Sequence, residues 1–325
     1  MIFYGVITVG SRLILLSQTQ SLVMFYGSFL LIGFGTGGCT AVVPMPAVAN
    51  WFHKNAGIAL GVTASRIGAS GLLVPLIARL TDVYGWRTTL VILGVGMWCL
   101  GVPLSFVIRN KPEQYGYLPY GKLSTDPITN VGIQGDGVEI GFTDALKNRS
   151  FLFLFMAVAL RGMIISAVVL HVMPYLSTTG IPRSTAALVA AGIPLFSIIG
   201  RFGFGWLGDY FDKRYMLAWT FCIMGLGMLA FCYVHVGWAV FLFFLLFSPG
   251  HGGSMVLRAS FLREYFGRDS FGKLIGITMG SQAIGGIIGP TLAGWVFDAF
   301  GSYQVIWLVF SGSMGLAIGL VLRIR

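Results

Sequence analysis

The chain has 325 residues, of which 56% are hydrophobic and only 10% charged, against about a quarter charged in an ordinary soluble domain. That leaves too little polar surface to cover a globule of this size in water and excludes a soluble enzyme or a soluble binding module. The net charge of +10 does not signal nucleic acid, because the basic residues are dispersed among apolar runs and form no patch.

Cys39, Cys99, Cys222 and Cys232 each sit in apolar stretches and read as small packing residues, with no disulfide framework and no metal site. No cofactor is expected. No cleavable signal peptide is expected either, since Met1 runs straight into an apolar segment without a basic leader.

A bilayer core about 30 Å thick needs about 20 apolar residues in a helix. Ten segments meet that description, at 1–17, 22–50, 56–78, 88–108, 151–177, 184–208, 215–234, 237–262, 273–297 and 303–322. They predict an all-α, polytopic membrane protein with ten visible spans. The segment 22–50 is long enough to tilt or to extend past the membrane. Gly33-Phe34-Gly35-Thr36-Gly37-Gly38 has the spacing of a dinucleotide loop, but it lies inside a span with no strand before it, so it reads as small-residue helix packing.

Residues 109–150 form one long polar stretch containing Pro112, Pro119 and Pro127. It divides the chain into 1–108 and 151–325. Basic residues orient the spans. With both termini in the cytoplasm, the inner side holds Lys54, Arg109, Lys111, Lys122, Lys147, Arg149, Lys213, Arg214, Arg263, Arg268, Lys273, Arg323 and Arg325, and the outer side only Arg79, Arg87 and Arg183. The 109–150 linker is then cytoplasmic.

The two parts share a pattern about 215 residues apart. Trp51-Phe52, Gly57-Ile58-Ala59-Leu60-Gly61, Pro75 and Asp82-Val83-Tyr84-Gly85 correspond in order to Tyr265-Phe266, Gly272-Lys273-Leu274-Ile275-Gly276, Pro290 and Asp298-Ala299-Phe300-Gly301. Order and offset together indicate a duplicated half. Three spans precede the second copy's final aromatic-Phe helix and one precedes the first copy's, so two helices are expected ahead of Met1.

The stretch Gly205-Trp206-Leu207-Gly208-Asp209 followed by Lys213-Arg214 resembles the cytoplasmic loop motif of the major facilitator superfamily, Gly-x-Leu-x-Asp-x-x-Gly-Arg-Arg, with Asp212 where the family has its second Gly. The resemblance implies a twelve-helix major facilitator fold of which this chain lacks the first two helices. It also implies a gate in which Gly205, Asp209, Lys213 and Arg214 latch the inner face, the helix-end carboxylate pairing with loop cations. More narrowly, Asn50-Trp51-Phe52 before Gly57-x-Ala59-x-Gly61, Gly200-Arg201, and Glu264-Tyr265-Phe266-Gly267 before Phe271-Gly272 resemble the branch of monocarboxylate transporters and the oxalate:formate antiporter. In that branch an arginine at the place of Arg201 contacts the substrate anion. The branch's Asp four residues earlier is Ser197 here, and no Lys lies within 274–297.

All 11 acidic residues fall in loops or at helix ends, while Arg12, Arg66, Arg161, Arg201 and Arg258 fall in spans. An ionised side chain at depth faces a cavity or a partner. Counting helix rise from the span ends, Arg201, Arg66 and Arg161 lie about 12, 14 and 16 Å in, whereas Arg258 and Arg12 are near enough to an end to reach an interface. Arginine's planar fork suits a carboxylate. Arg201, Arg66 and Arg161 are therefore the expected substrate-binding residues. His171 and His251 are candidates for proton coupling, each also readable as a hydrogen-bonded packing residue.

The resulting expectation is a secondary transporter of a small organic anion, a carboxylate, working by alternating access. Its partners would be that anion, protons or a counter-anion, and the bilayer. Short loops favour a bacterial inner membrane. A transporter-like receptor and a non-functional carrier fragment are the alternatives.

Overall fold

The computed structural model describes residues 2–39, 43–52, 55–69, 73–109, 112–118, 120, 141–234 and 237–324. The described chain is helical almost throughout. In order the helices are α1 (Ile2–Ser17), α2 (Leu22–Cys39), α3 (Pro44–Trp51), α4 (Ala56–Ala69), α5 (Val74–Val107), α6 (Phe142–Lys147), α7 (Arg149–Thr178), α8 (Arg183–Tyr210), α9 (Lys213–Phe231), α10 (Gly237–Phe266), α11 (Arg268–Phe300) and α12 (Gln304–Leu322). The only β-type pairing among the described residues is an isolated bridge between Phe52 and Tyr120. Helices are what a bilayer requires, because each helix satisfies its own backbone N–H and C=O groups.

Among the described residues, seven helices are long and apolar enough to cross a membrane: Arg79–Val107, Arg149–Thr178, Thr185–Tyr210, Lys213–Phe231, Gly237–Phe266, Ser270–Phe300 and Gln304–Leu322. Ile2–Ser17 and Leu22–Gly37 are shorter apolar helices. Large side chains stand exposed on these helices, Phe34 at 85% and Ile287 at 72% among them. Such surfaces suit lipid and would drive aggregation in water. The chain is a multi-pass membrane protein.

Two compact units are present, one of Met1–Lys54 with Ser70–Pro127 and one of Asn55–Ala69 with Ile128–Arg325. In the first unit α1 packs on α2 and α5. The Trp98 indole donates to the Ile7 carbonyl at 3.3 Å, and the Trp51 indole to the Arg109 carbonyl at 3.0 Å. The apolar segment expected at 22–50 becomes two helices, with Pro44 in the first turn of α3, where a missing N–H costs nothing. α5 turns sharply at Gly85, whose φ of 76° and ψ of 159° no helix contains. Gly301, its counterpart in the repeat, has φ 67° and closes α11 as a left-handed cap. The sequence pattern Asp-x-aromatic-Gly thus marks a reversal of backbone sense in both copies. Of the expected linker, residues 121–140 lie outside the described residues, as do Lys54, Lys111, Lys122, Pro119 and Arg325.

The second unit contains α4 and α6–α12. Its main pairings are α7 with α11, α8 with α10 and α4, and α9 with α10 and α12. Without a hydrophobic drive between helices in lipid, close backbone approach holds such bundles together. Gly285 and Gly289 of α11 meet the backbone of Ala159 and Met163 on α7, and Gly57 and Gly61 of α4 meet the carbonyls of Gly205 and Arg201 on α8. One end of the unit is filled by Tyr175, Phe231, Phe243, Tyr303 and Trp307, with Phe231 and Phe243 stacked at 4.3 Å. Each such ring pair adds about 0.5–1.5 kcal/mol beyond its buried area. The Asn148 side chain accepts from Ser150 N at 2.8 Å to start α7, and the Asp212 carboxylate accepts from Arg214 N at 2.8 Å to start α9.

Candidate functional site

Three arginines meet in the core of the second unit. Arg161 on α7, Arg201 on α8 and Arg258 on α10 are each 1% exposed, and none is in an ion pair with a carboxylate among the described residues. Arg161 is held on every side. Its Nε donates to Ser254 Oγ at 2.6 Å, Nη1 to Gln282 Oε1 at 3.1 Å, and Nη2 to the His251 carbonyl at 3.0 Å. The same Nη2 faces His251 Nδ1 at 3.2 Å. A guanidinium has no lone pair to offer, so Nδ1 is the acceptor and the imidazole proton sits on Nε2.

Helix geometry explains the meeting. His251, Ser254 and Arg258 are spaced i, i+3, i+7 and so share one face of α10. Gly162, beside Arg161, lets the α11 backbone at Gln282 approach so closely that a Cβ would overlap it.

Arg258 completes the set. Its Nη1 donates to the same Gln282 Oε1 at 3.0 Å. The two Nη1 atoms are therefore within about 6 Å of each other, a separation at which two like charges repel by about 3 kcal/mol at an effective dielectric of about 20. A neutral amide oxygen only partly offsets this. Arg258 Nε has no hydrogen-bond partner, nor do Nε and Nη1 of Arg201. Buried charge without a partner is strongly disfavoured, so the cluster as it stands is short of negative charge. Chemically it can accept an anion.

The other expected site residues fall elsewhere. Arg66 is on α4 with an exposed side chain. His171 sits at the aromatic end, its Nε2 3.1 Å from the Pro290 carbonyl and its Nδ1 3.1 Å from Tyr303 Oη. A carbonyl only accepts, so Nε2 carries a proton, and both ring nitrogens have a hydrogen-bond partner. Tyr175 donates to the Phe231 carbonyl at 2.9 Å and closes the end of α9.

The loop motif differs from the expected latch in its partners. Asp209 does not pair with Lys213 or Arg214. Its two carboxylate oxygens accept from Gly57 N at 2.8 Å and Ile58 N at 3.2 Å, capping the start of α4, where the helix dipole and free N–H groups favour an anion. Gly205 and Gly57 make room for this, since a Cβ on either would press on the other's backbone. Lys213 pairs instead with Glu264 of α10. Arg214 donates to the Ile324 carbonyl at 2.7 Å and lies 3.9 Å from Asp212.

Gln282 and Ser254 escaped the reading of the sequence, and Arg258 was expected near an interface. A signal for the first existed: Gln282 is the sole amide within 274–297.

Comparison with known proteins agrees with this architecture. A family model described as Major Facilitator Superfamily matches residues 1–204 and 169–325. Monocarboxylate transporter 12 of Xenopus laevis is 24% identical over 332 residues, covering 96% of this chain and 71% of that protein. The uncharacterized MFS-type transporter YcxA of Bacillus subtilis is 25% identical over 323 residues, covering 96% and 75%. Among solved structures, the human organic anion transporter MFSD10 (TETRAN) matches with a TM-score of 0.72 at 13% identity, covering 98% of this chain and 76% of that one. The Escherichia coli fucose:proton symporter FucP matches with a TM-score of 0.70 at 16% identity, covering 100% and 84%. At such identities the solved structures speak for the fold. With the family model running the length of the chain over a helical, multi-pass architecture, the chain belongs to the major facilitator superfamily of membrane transporters.

Proposed function

We propose that this transporter carries a small organic anion, a carboxylate, by alternating access, with Arg201 as the principal substrate contact. The observation that carries the reading is the Arg201 guanidinium, 1% exposed, with Nε and Nη1 unpartnered and no ion pair to a carboxylate among the described residues. A ligand carboxylate is the group that satisfies both the charge and the donors. The matched relatives named monocarboxylate transporters and the solved organic anion transporter support the same class.

Arg161 is an organising residue in this scheme, since each of its three nitrogens is engaged by Ser254, Gln282 or His251. Arg66 is a candidate for a contact in another conformation. Coupling is by proton symport or by anion exchange, with His251, beside Arg161, the better placed of the two histidines. The protein sits in a bacterial inner membrane with both termini cytoplasmic, and Gly205 and Asp209 close the inner face by capping α4.

Uptake of radiolabelled small carboxylates into proteoliposomes tests the reading. Saturable uptake is expected, reduced about 30-fold or more by Arg201→Gln, the cost of removing one partner of a buried charge-assisted contact. Uptake that survives the substitution would transfer the charge role to Arg66 or Arg161. No uptake across the panel would sink the carboxylate assignment.

A further inference from the structure

We infer that the second unit holds a second anion subsite at Arg258, so that the substrate carries two anionic groups: a small dicarboxylate with one carboxylate on Arg201 and the other on Arg258. The inference rests on the reading of Arg201 as the anion contact and extends it. Three observations lead to it.

The first is the supply of acceptors. Gln282 Oε1 receives both Arg161 Nη1 and Arg258 Nη1, which uses the two lone pairs of an amide oxygen. Ser254 Oγ and the His251 carbonyl are taken by Arg161. Arg258 Nε is buried and has no hydrogen-bond partner among the described residues.

The second is charge. A single carboxylate on Arg201 would leave Arg161 and Arg258 still sharing one neutral amide. Of the unit's described carboxylates, Asp209 is bound to α4, Asp212 caps the start of α9 and Glu264 pairs with Lys213, Asp144 and Asp298 lie near the ends of α6 and α11, and none is in an ion pair with the three arginines. The second negative charge therefore arrives with the ligand.

The third is spacing. A Cβ on Gly252 would lie 3.2 Å from Arg201 Cγ, which places Arg201 alongside that point of α10. Arg258 follows Gly252 by six residues, about 9 Å along the helix. Two long, flexible side chains rooted at that separation can close on the ends of a short diacid.

The test compares matched acids on the purified full chain: malonate, succinate and glutarate against propionate, butyrate and valerate, titrated calorimetrically at neutral pH in a carboxylate-free HEPES buffer, with and without chloride. The expected result is that a diacid binds about tenfold or more tightly than its matched monoacid, and that Arg258→Gln collapses this ratio toward one. Arg258→Lys, which keeps the charge and loses the fork, should retain an intermediate ratio, and it decides the matter if the glutamine variant does not fold.

Equal binding of diacid and monoacid would overturn the second subsite while leaving the carboxylate reading standing. So would a ratio that Arg258→Gln does not change. Monoacid binding that strengthens when chloride is added, with no diacid advantage, would make the Arg258 position a site for an inorganic ion and overturn the two-headed substrate. Failure of every acid to bind would overturn the underlying carboxylate reading as well.

Discussion

At the scale of single residues, the distinction that matters is between arginines whose donors are used and those whose donors are not. Arg161, Arg201 and Arg258 are equally buried, yet only Arg161 has a partner at each of its three nitrogens among the described residues. Its partners come from α10 and α11, and they make it a fixed cation that shapes the core. Gln282 is the weak joint, one neutral oxygen serving two guanidiniums.

Gln282→Glu tests whether the cluster lacks negative charge. The substitution keeps size and places a carboxylate where both donors already point. It should raise the thermal midpoint of the ligand-free protein by a few degrees, the scale of about 1–2 kcal/mol, and weaken anion binding. A lowered midpoint with unchanged binding would mean that the arginines are already compensated. Sequence alone pointed to Arg161 and Arg201 because charges are rare in apolar runs. It put Arg258 near an interface because it lies close in sequence to Arg263, and distance along a helix says nothing about which neighbour covers a side chain.

At the scale of elements, small residues decide which helices touch. Gly285 and Gly289 on α11 meet Ala159 and Met163 on α7 so closely that a Cβ on either glycine would overlap backbone. A Cβ on Gly312 or Gly315 of α12 would meet open space. Gly289→Val should therefore cost about 1–3 kcal/mol through forced separation of α7 and α11, read as a lower thermal midpoint in detergent, while Gly312→Val should leave the midpoint within about a degree. Equal effects at the two positions would refute the close-contact account. Because Arg161 and Gln282 lie on these two helices, the same separation should also lengthen their hydrogen bond and reduce uptake.

At the scale of the whole molecule, the distribution of basic residues predicts an orientation. Gly180 lies in the turn between α7 and α8, and Glu264 pairs with Lys213 near the opposite ends of α10 and α9. If the termini are cytoplasmic, a membrane-impermeant maleimide should label Gly180→Cys in intact cells, in a background without other cysteines, and Glu264→Cys only after permeabilisation. The reverse pattern would invert the topology inferred from the charge bias.

The sequence by itself determined the class of molecule. Scarce charge and long apolar runs require helices in lipid, and the glycines at 85 and 301 mark reversals of backbone sense, because composition and local backbone preference act within a few residues. Only the tertiary structure decided the partners. Asp209 caps a helix start about 150 residues away instead of holding Lys213 nearby, and Arg258 joins Arg161 through an amide on a third helix. Those pairings depend on how helices distant in sequence turn and slide against one another. That is set by small-residue contacts between backbones and is not written in the spacing of any one segment.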